Sequence, residues 1–240
     1  QCVKTIEGHS DAVRCLSLSS DDKTLFSAGY DNIIKVWSLS NKTCLATLEG
    51  HQACVTDLAF AETNEVLFSA SKDGTIKVWS LKGSKCIATL GNPEENYPIY
   101  SMVLLQSQGT IVSAHKHPDI RMWDINQKNM KGLLKGHTAA VNVIKASRNE
   151  KFLYSAGEDL EILIWEVRTA KLLRRFGKEQ HSKPISCMTI SPDAKKLVTG
   201  SEDKSIKVWN LDEFALAETF TDHKDIITSL TYSSKGQIMY

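Results

Sequence analysis

The spacing of the tryptophans constrains this chain more than any other feature. All five, Trp37, Trp79, Trp123, Trp165 and Trp209, are separated by 42, 44, 42 and 44 residues. The tract ahead of them recurs as YDNIIKVW up to Trp37, KDGTIKVW up to Trp79 and EDKSIKVW up to Trp209. The tract after them recurs too: CVKTIEGH from Cys2 to His9 parallels CLATLEGH from Cys44 to His51. A fixed period of this length marks a supersecondary unit that cannot bury its apolar face alone, so successive units must stack.

Each period reads as four short strands. In the first, Val13 to Ser19 alternates around apolar Val13, Cys15 and Leu16, and Asp21-Asp22-Lys23 turns the chain. Leu25 to Ala28 is a second strand, Gly29 to Asn32 a tight turn, Ile33 to Trp37 a third strand and Cys44 to Leu48 a fourth. Short strands, frequent turns and no long stretch of helical period predict an all-β fold. The expected repeats span approximately 1–43, 44–85, 86–129, 130–171, 172–215 and 216–240, within one domain over 1–240.

Each regular Trp also has a His 28 positions earlier, a Ser or Thr 10 earlier and an Asp 6 earlier. The sets are His9, Ser27, Asp31, Trp37; His51, Ser69, Asp73, Trp79; His137, Ser155, Asp159, Trp165; and His181, Thr199, Asp203, Trp209. Gly-His, Ser or Thr, Asp and Trp at these offsets resemble the WD-repeat β-propeller family, and the resemblance covers the whole chain. It implies four-stranded antiparallel blades, five full repeats plus partial blades at both ends. It also implies that each set forms a structural hydrogen-bonded tetrad, from indole to hydroxyl to imidazole to carboxylate. Buried polar groups must be paired, at a cost of about 1–3 kcal/mol for each one left unpaired. Ser, His and Asp also make hydrolase triads, but a catalytic triad occurs once, with an exposed nucleophile. Four recurrences with a Trp member favour structure over catalysis.

The third repeat departs from the pattern. Gly91-Asn92-Pro93-Glu94-Glu95-Asn96-Tyr97-Pro98 replaces Gly-His and is two residues longer, and His117 replaces the turn Asp. This blade is expected to keep Ser113 and Trp123, lose the relay, be the loosest, and project its insertion from one rim. A metal site at His115 and His117 has no evident third ligand.

Propellers bind partners mainly where the loops entering the inner strands meet the Asp turns. By resemblance the exposed positions are Ala12, Arg14, Tyr30, Cys54, Thr56 and Lys72, then Pro98, Tyr100, Lys116, Ala140, Asn142 and Glu158, and finally Pro184, Ser186, Glu202, Ile226 and Thr228. Of these, Arg14, Tyr30, Lys72, Tyr100 and Lys116 make one side basic and aromatic, while Glu158 and Glu202 make the other acidic, with Asn142 between. A protein or peptide lying across this face is expected to point its acidic end toward repeats one to three. A weaker likeness joins Leu153–Arg168 to the box by which some WD proteins dock to a cullin ubiquitin-ligase adaptor, through Trp165 and Arg168, with Glu166 in place of an Asp.

Composition narrows the classes. The 29 basic and 28 acidic side chains balance, so no general attraction to nucleic acid is expected, although a local patch is compatible with this. No apolar run approaches a membrane span. Cys2, Cys44 and Cys86 recur at an interval of 42 and are expected to be small buried hydrophobes, in a reducing, intracellular compartment. No nucleotide, phosphate-loop, metalloprotease or nucleophile-elbow motif is present, and no cofactor or metal is expected. The expected function is a non-catalytic scaffold, with a ubiquitin-ligase substrate receptor and an RNA- or chromatin-associated subunit as alternatives. Cys2 to Ile6 reads as a lone fourth strand, and a sixth repeat opens at His223 with strands near Ile226–Ser233 and Gln237–Tyr240. Flanking sequence is therefore expected to close the ring. Seven periods of about 42 would need about 294 residues, with six blades as the alternative.

Overall fold

The computed structural model describes residues 5–61, 64–95, 97–233 and the backbone of 238–239. It is all-β, with two single-turn 3-10 segments, Pro93–Glu95 and Gln106–Gln108, as the helical elements among the described residues. The first blade holds β1 (Val13–Leu18), β2 (Thr24–Gly29), β3 (Ile34–Ser38) and β4 (Thr43–Leu48). The second holds β5 (Val55–Ala61), β6 (Val66–Ser71), β7 (Ile76–Ser80) and β8 (Lys85–Leu90). The third holds β9 (Ile99–Leu105), β10 (Thr110–His115), β11 (Ile120–Asp124) and β12 (Asn129–Leu134). The fourth holds β13 (Val141–Ala146), β14 (Phe152–Gly157), β15 (Ile162–Glu166) and β16 (Lys171–Phe176). The fifth holds β17 (Ile185–Ile190), β18 (Lys196–Ser201), β19 (Ile206–Asn210) and β20 (Ala215–Phe220). In every blade the strands pair antiparallel in sequence order. In the sixth repeat, among the described residues, Thr231–Tyr232 (β21) pairs with Ile238–Met239 (β22), and Ile226–Leu230 of the expected first strand is not in a strand. Cys2 to Lys4, within the lone strand expected at the start, lie outside the described residues, and Thr5 and Ile6 are not in a strand.

The hydrophobic core lies between the sheets. Phe26, Ile34, Val36 and Leu48 of the first blade pack on Val55, Leu58, Leu67 and Trp79 of the second. The same pattern joins Phe68, Ile76 and Val78 to Met102 and Trp123. It joins Val112, Ile120 and Met122 to Ile144 and Trp165, and Ile162 and Ile164 to Met188 and Trp209. Each Trp from the second blade on thus seals its blade against the one before. Leu16 stands where Leu58 stands one blade later, yet it is 63% exposed against 7%. The difference is the neighbour, since the first blade has no preceding sheet among the described residues.

The recurring cysteines correct one expectation. Cys44 and Cys86 are exposed, not buried. They sit on β4 and β8, the outer strands, where alternation turns them to solvent and each thiol reaches a carbonyl of its own strand, Ala46 or Ala88. Cys2 lies outside the described residues. The buried thiols are Cys54 and Cys187.

Candidate binding site

The turns that shape the candidate face are held by the four expected residue sets. In the second blade the Trp79 indole donates to Ser69 Oγ at 2.8 Å, the hydroxyl donates to His51 Nε2 at 2.7 Å, and His51 Nδ1 donates to Asp73 Oδ2 at 2.7 Å. The direction follows from chemistry: the indole can only donate, so the hydroxyl proton must go to Nε2, which leaves Nδ1 protonated toward the carboxylate. The sets at Trp37, Trp165 and Trp209 repeat this path, with no step longer than 2.9 Å. Each Asp also accepts the amide after the His, from Ser10, Gln52, Thr138 or Ser182, so loop and turn are tied together. Burial alone would push the Asp73 carboxyl up, but hydrogen bonds from His51 and Thr75 outweigh it and hold the group well below the usual carboxylate range. Asp203 is lowered likewise, by Ser205 and His181 against burial.

The third blade rebuilds part of the relay, contrary to the expectation that it is lost. Trp123 donates to Ser113 Oγ at 2.7 Å, and Ser113 donates to Nε2 of His115 at 2.8 Å. His115 Nδ1 then donates to the Tyr97 carbonyl at 3.3 Å. His115 lies eight residues before its Trp, where the other blades have Gly29, Ser71, Gly157 and Ser201. Ser71 and Ser201 already reach back to the loop carbonyls of Ala53 and Lys183, which correspond to Tyr97. A longer imidazole at that position makes the same tether and also fills the place of the missing loop His. The replacement relay ends on a neutral carbonyl instead of a carboxylate, and burial outweighs the opposing pull of the Tyr97 carbonyl, so that His115, 0% exposed, is pushed down to about 4. Both ring nitrogens are engaged, which leaves His115 no free lone pair for a metal. Beside it, Tyr97 meets His117 in a tilted ring contact with centroids 4.8 Å apart, and Arg121 lies 5.4 Å from the Tyr97 ring and pairs with Glu95 at 2.6 Å. The expected insertion forms the exposed 3-10 turn Pro93–Glu95.

The residue before each turn Asp is fixed by its backbone. Amides of Tyr30, Lys72, Lys116, Glu158 and Glu202 donate to carbonyls of Ala12, Cys54, Pro98, Ala140 and Pro184, at 2.9 to 3.0 Å. These anchors bring Tyr30, Lys72, Glu158 and Glu202, together with Arg14, Tyr100 and Asn142 from the inner strands, around one cavity of about 490 Å³. Lys72 Nζ lies 5.2 Å from the Tyr30 ring centroid, a cation–π contact on the rim. Lys116 is exposed but does not line this cavity. Three residues expected on the exposed face, Cys54, Thr56 and Ala140, are buried.

Sequence reasoning missed what several wall residues do. Thr56 donates to Ile99 O at 2.9 Å, Asn142 Nδ2 to Ile185 O at 3.0 Å, and Ser186 to Ile227 O. These side chains tie one inner strand to the next, so Asn142 is committed to the wall. Asp57 does similar work lower down, accepting from Met102 N at 2.8 Å and Ser101 Oγ at 3.2 Å. The signal was a polar side chain at the same place in neighbouring repeats, with a partner one blade on. In the segment likened to the adaptor box, Trp165 is buried and Arg168 exposed, while Glu166 accepts from the Thr169 hydroxyl.

The family model "WD domain, G-beta repeat" matches residues 1–38, 42–80, 128–166 and 170–210, more than half of the chain. The chain belongs to the WD-repeat family. The third repeat falls between the matched segments, in keeping with its missing Gly-His and turn Asp. The WD chain is similar to pre-mRNA-processing factor 19 of Bos taurus, 25% identical over 134 residues, covering 56% of this chain and 27% of that protein. It is similar to transducin beta-like protein 3 of Mus musculus, 30% identical over 129 residues, covering 47% and 16%. U3 small nucleolar RNA-interacting protein 2 of Homo sapiens is 26% identical over 117 residues, covering 45% and 25%. The WD chain thus spans between about a sixth and about a quarter of these relatives. Among the described residues no helix is long and apolar enough to cross a membrane.

Proposed function

We propose that this WD domain is a non-catalytic, intracellular protein-interaction scaffold that takes a partner segment on the face bearing Arg14, Tyr30, Lys72 and Tyr100. One observation carries the reading: cation and aromatic side chains from three blades line a single cavity opposite Glu158 and Glu202. Tyr and Arg are frequent interface hot spots, and paired patches of opposite sign fix the direction of a bound segment. The Ser, His and Asp side chains that could suggest hydrolysis are hydrogen-bonded to one another and buried. Two relatives carry pre-mRNA processing or small nucleolar RNA in their names, which supports an RNA-processing assembly as the setting. The mouth carries both signs rather than a basic stripe, which favours protein over RNA as the direct ligand.

Quantitative affinity purification of the wild type and of an Arg14→Glu/Lys72→Glu variant tests this. Loss of at least one stoichiometric protein by tenfold or more is expected, unchanged by ribonuclease treatment. Identical partner sets, or a loss seen only where RNA is intact, would refute it.

A further inference from the structure

Below the mouth the cavity continues inward. Arg14, Thr56, Tyr100, Asn142, Ser186 and Thr228, one from each repeat, line both the mouth and a second, open cavity of about 520 Å³ along the inner strands. These six form a waist, and Arg14 is the charged member. Deeper, Lys145 on β13 joins the wall, at a position where the other blades carry uncharged Ser17, Ala59, Val103 and Thr189.

Neither Arg14 nor Lys145 forms an ion pair or a side-chain hydrogen bond among the described residues. The deep wall also contains Asp57, whose carboxylate accepts from the amides of Met102 at 2.8 Å and Leu58 at 3.0 Å and from the Ser101 hydroxyl; against Arg14 and Lys145 it leaves the wall positive. Arg14, Lys145 and Cys187 line this one cavity, and burial pushes the Cys187 thiol up to about 11. The rim is mixed in sign. Glu158 and Glu202 line it beside Lys72 and the shared Arg14, and neither carboxylate is ion-paired among the described residues.

We propose that the pore is a socket for an acidic side chain of a partner protein, held between Arg14 and Lys145, with a basic residue nearby in the same segment resting on Glu158 and Glu202. The charge profile selects this occupant. A free polyanion must pass two unpaired carboxylates at the entrance, and a purely basic segment meets Arg14 at the waist. A segment carrying both signs, acid inward and base at the rim, satisfies both layers. Charge-assisted hydrogen bonds from guanidinium and ammonium are the stronger kind. This socket rests on the reading of the face as a protein-binding surface, and adds what chemistry enters the pore.

Selection of phage-displayed random dodecapeptides on the full chain tests it, using wild type, Lys145→Glu and Lys72→Glu, each checked for an unchanged unfolding midpoint. Lys145→Gln replaces Lys145→Glu should the latter not fold. Wild type is expected to enrich Asp or Glu followed within a few residues by Lys or Arg. The synthetic consensus peptide, read by fluorescence anisotropy, is expected to bind Lys145→Glu or Lys145→Gln at least tenfold more weakly. Selection on Lys145→Glu is expected to replace the acidic position with a basic one. An acidic consensus weakened by Lys72→Glu but indifferent to Lys145 would overturn the socket and leave the face intact. Absence of any consensus on all the proteins would overturn both readings.

Discussion

His115 makes the stability of this fold sensitive to acid in a way that can be isolated. Its Nε2 accepts the Ser113 hydroxyl at 2.8 Å, and Ser113 already accepts the Trp123 indole. Protonation would turn Nε2 into a donor, leaving the Ser113 oxygen facing two donors and its own proton without an acceptor. Burial holds the folded group down to about 4, against about 6.5 in an unfolded chain. The unfolded state therefore takes up the proton first. The contribution of neutral His115 is complete above about pH 6.5 and is lost as pH falls toward about 4. Each pH unit of that gap is about 1.4 kcal/mol, so the full loss is about 3 kcal/mol, most of it incurred by about pH 4.5. Urea unfolding of wild type and His115→Gln at pH 7.5 and pH 4.5 isolates it, because other titrating groups act on both proteins. Wild type should lose about 2.5 kcal/mol more than the variant over this interval. Equal losses, within about 0.5 kcal/mol, would refute a neutral buried imidazole in the relay.

Three further outcomes follow from the same geometry. Ser69→Ala leaves the Trp79 N–H and His51 Nε2 unpaired at a site of zero exposure; at about 1–3 kcal/mol for each orphan, chemical denaturation should show a loss of about 2–6 kcal/mol. A methyl at Gly157 would lie 2.1 Å from Ala140 O and 2.9 Å from Val141 Cα, both backbone, whereas one at Gly132 meets nothing within 4 Å; Gly157→Ala should lower the melting temperature sharply while Gly132→Ala leaves it unchanged or raised. Glu150 accepts the amides of Gln106 and Ser107 at 3.0 Å each; Glu150→Ala should cost about 1 kcal/mol at this exposed site and speed hydrogen exchange of those two amides.

The blades were legible in the sequence because their signature is local and repeated. Trp, Ser, His and Asp sit at fixed offsets, and each strand end is marked by a turn. Features that depend on a neighbour were not legible. Cys44 and Cys86 share one place in the repeat, but their exposure depends on lying in the outermost strand. Asn142 read as a free contact residue, yet it is spent on the Ile185 carbonyl of the next blade. His115 was visible as a residue, and its meaning lay in two facts taken together: no His in the loop before, and a His where other repeats carry Gly or Ser. Of the candidate face, the sequence supplied the residue types; the shared cavity, and the separation of Lys116 from it, needed the curvature of successive blades.

Because every apolar seam is formed by two adjacent blades, no blade owns its core. A blade is therefore free to drift in its hydrogen-bonding signature, as the third has, while its two faces stay matched to those beside it. The converse is stricter. Moving a blade to another place in the array, or grafting one from a relative, would fail at two seams at once, however faithfully the transplanted piece kept its own Trp, Ser, His and Asp.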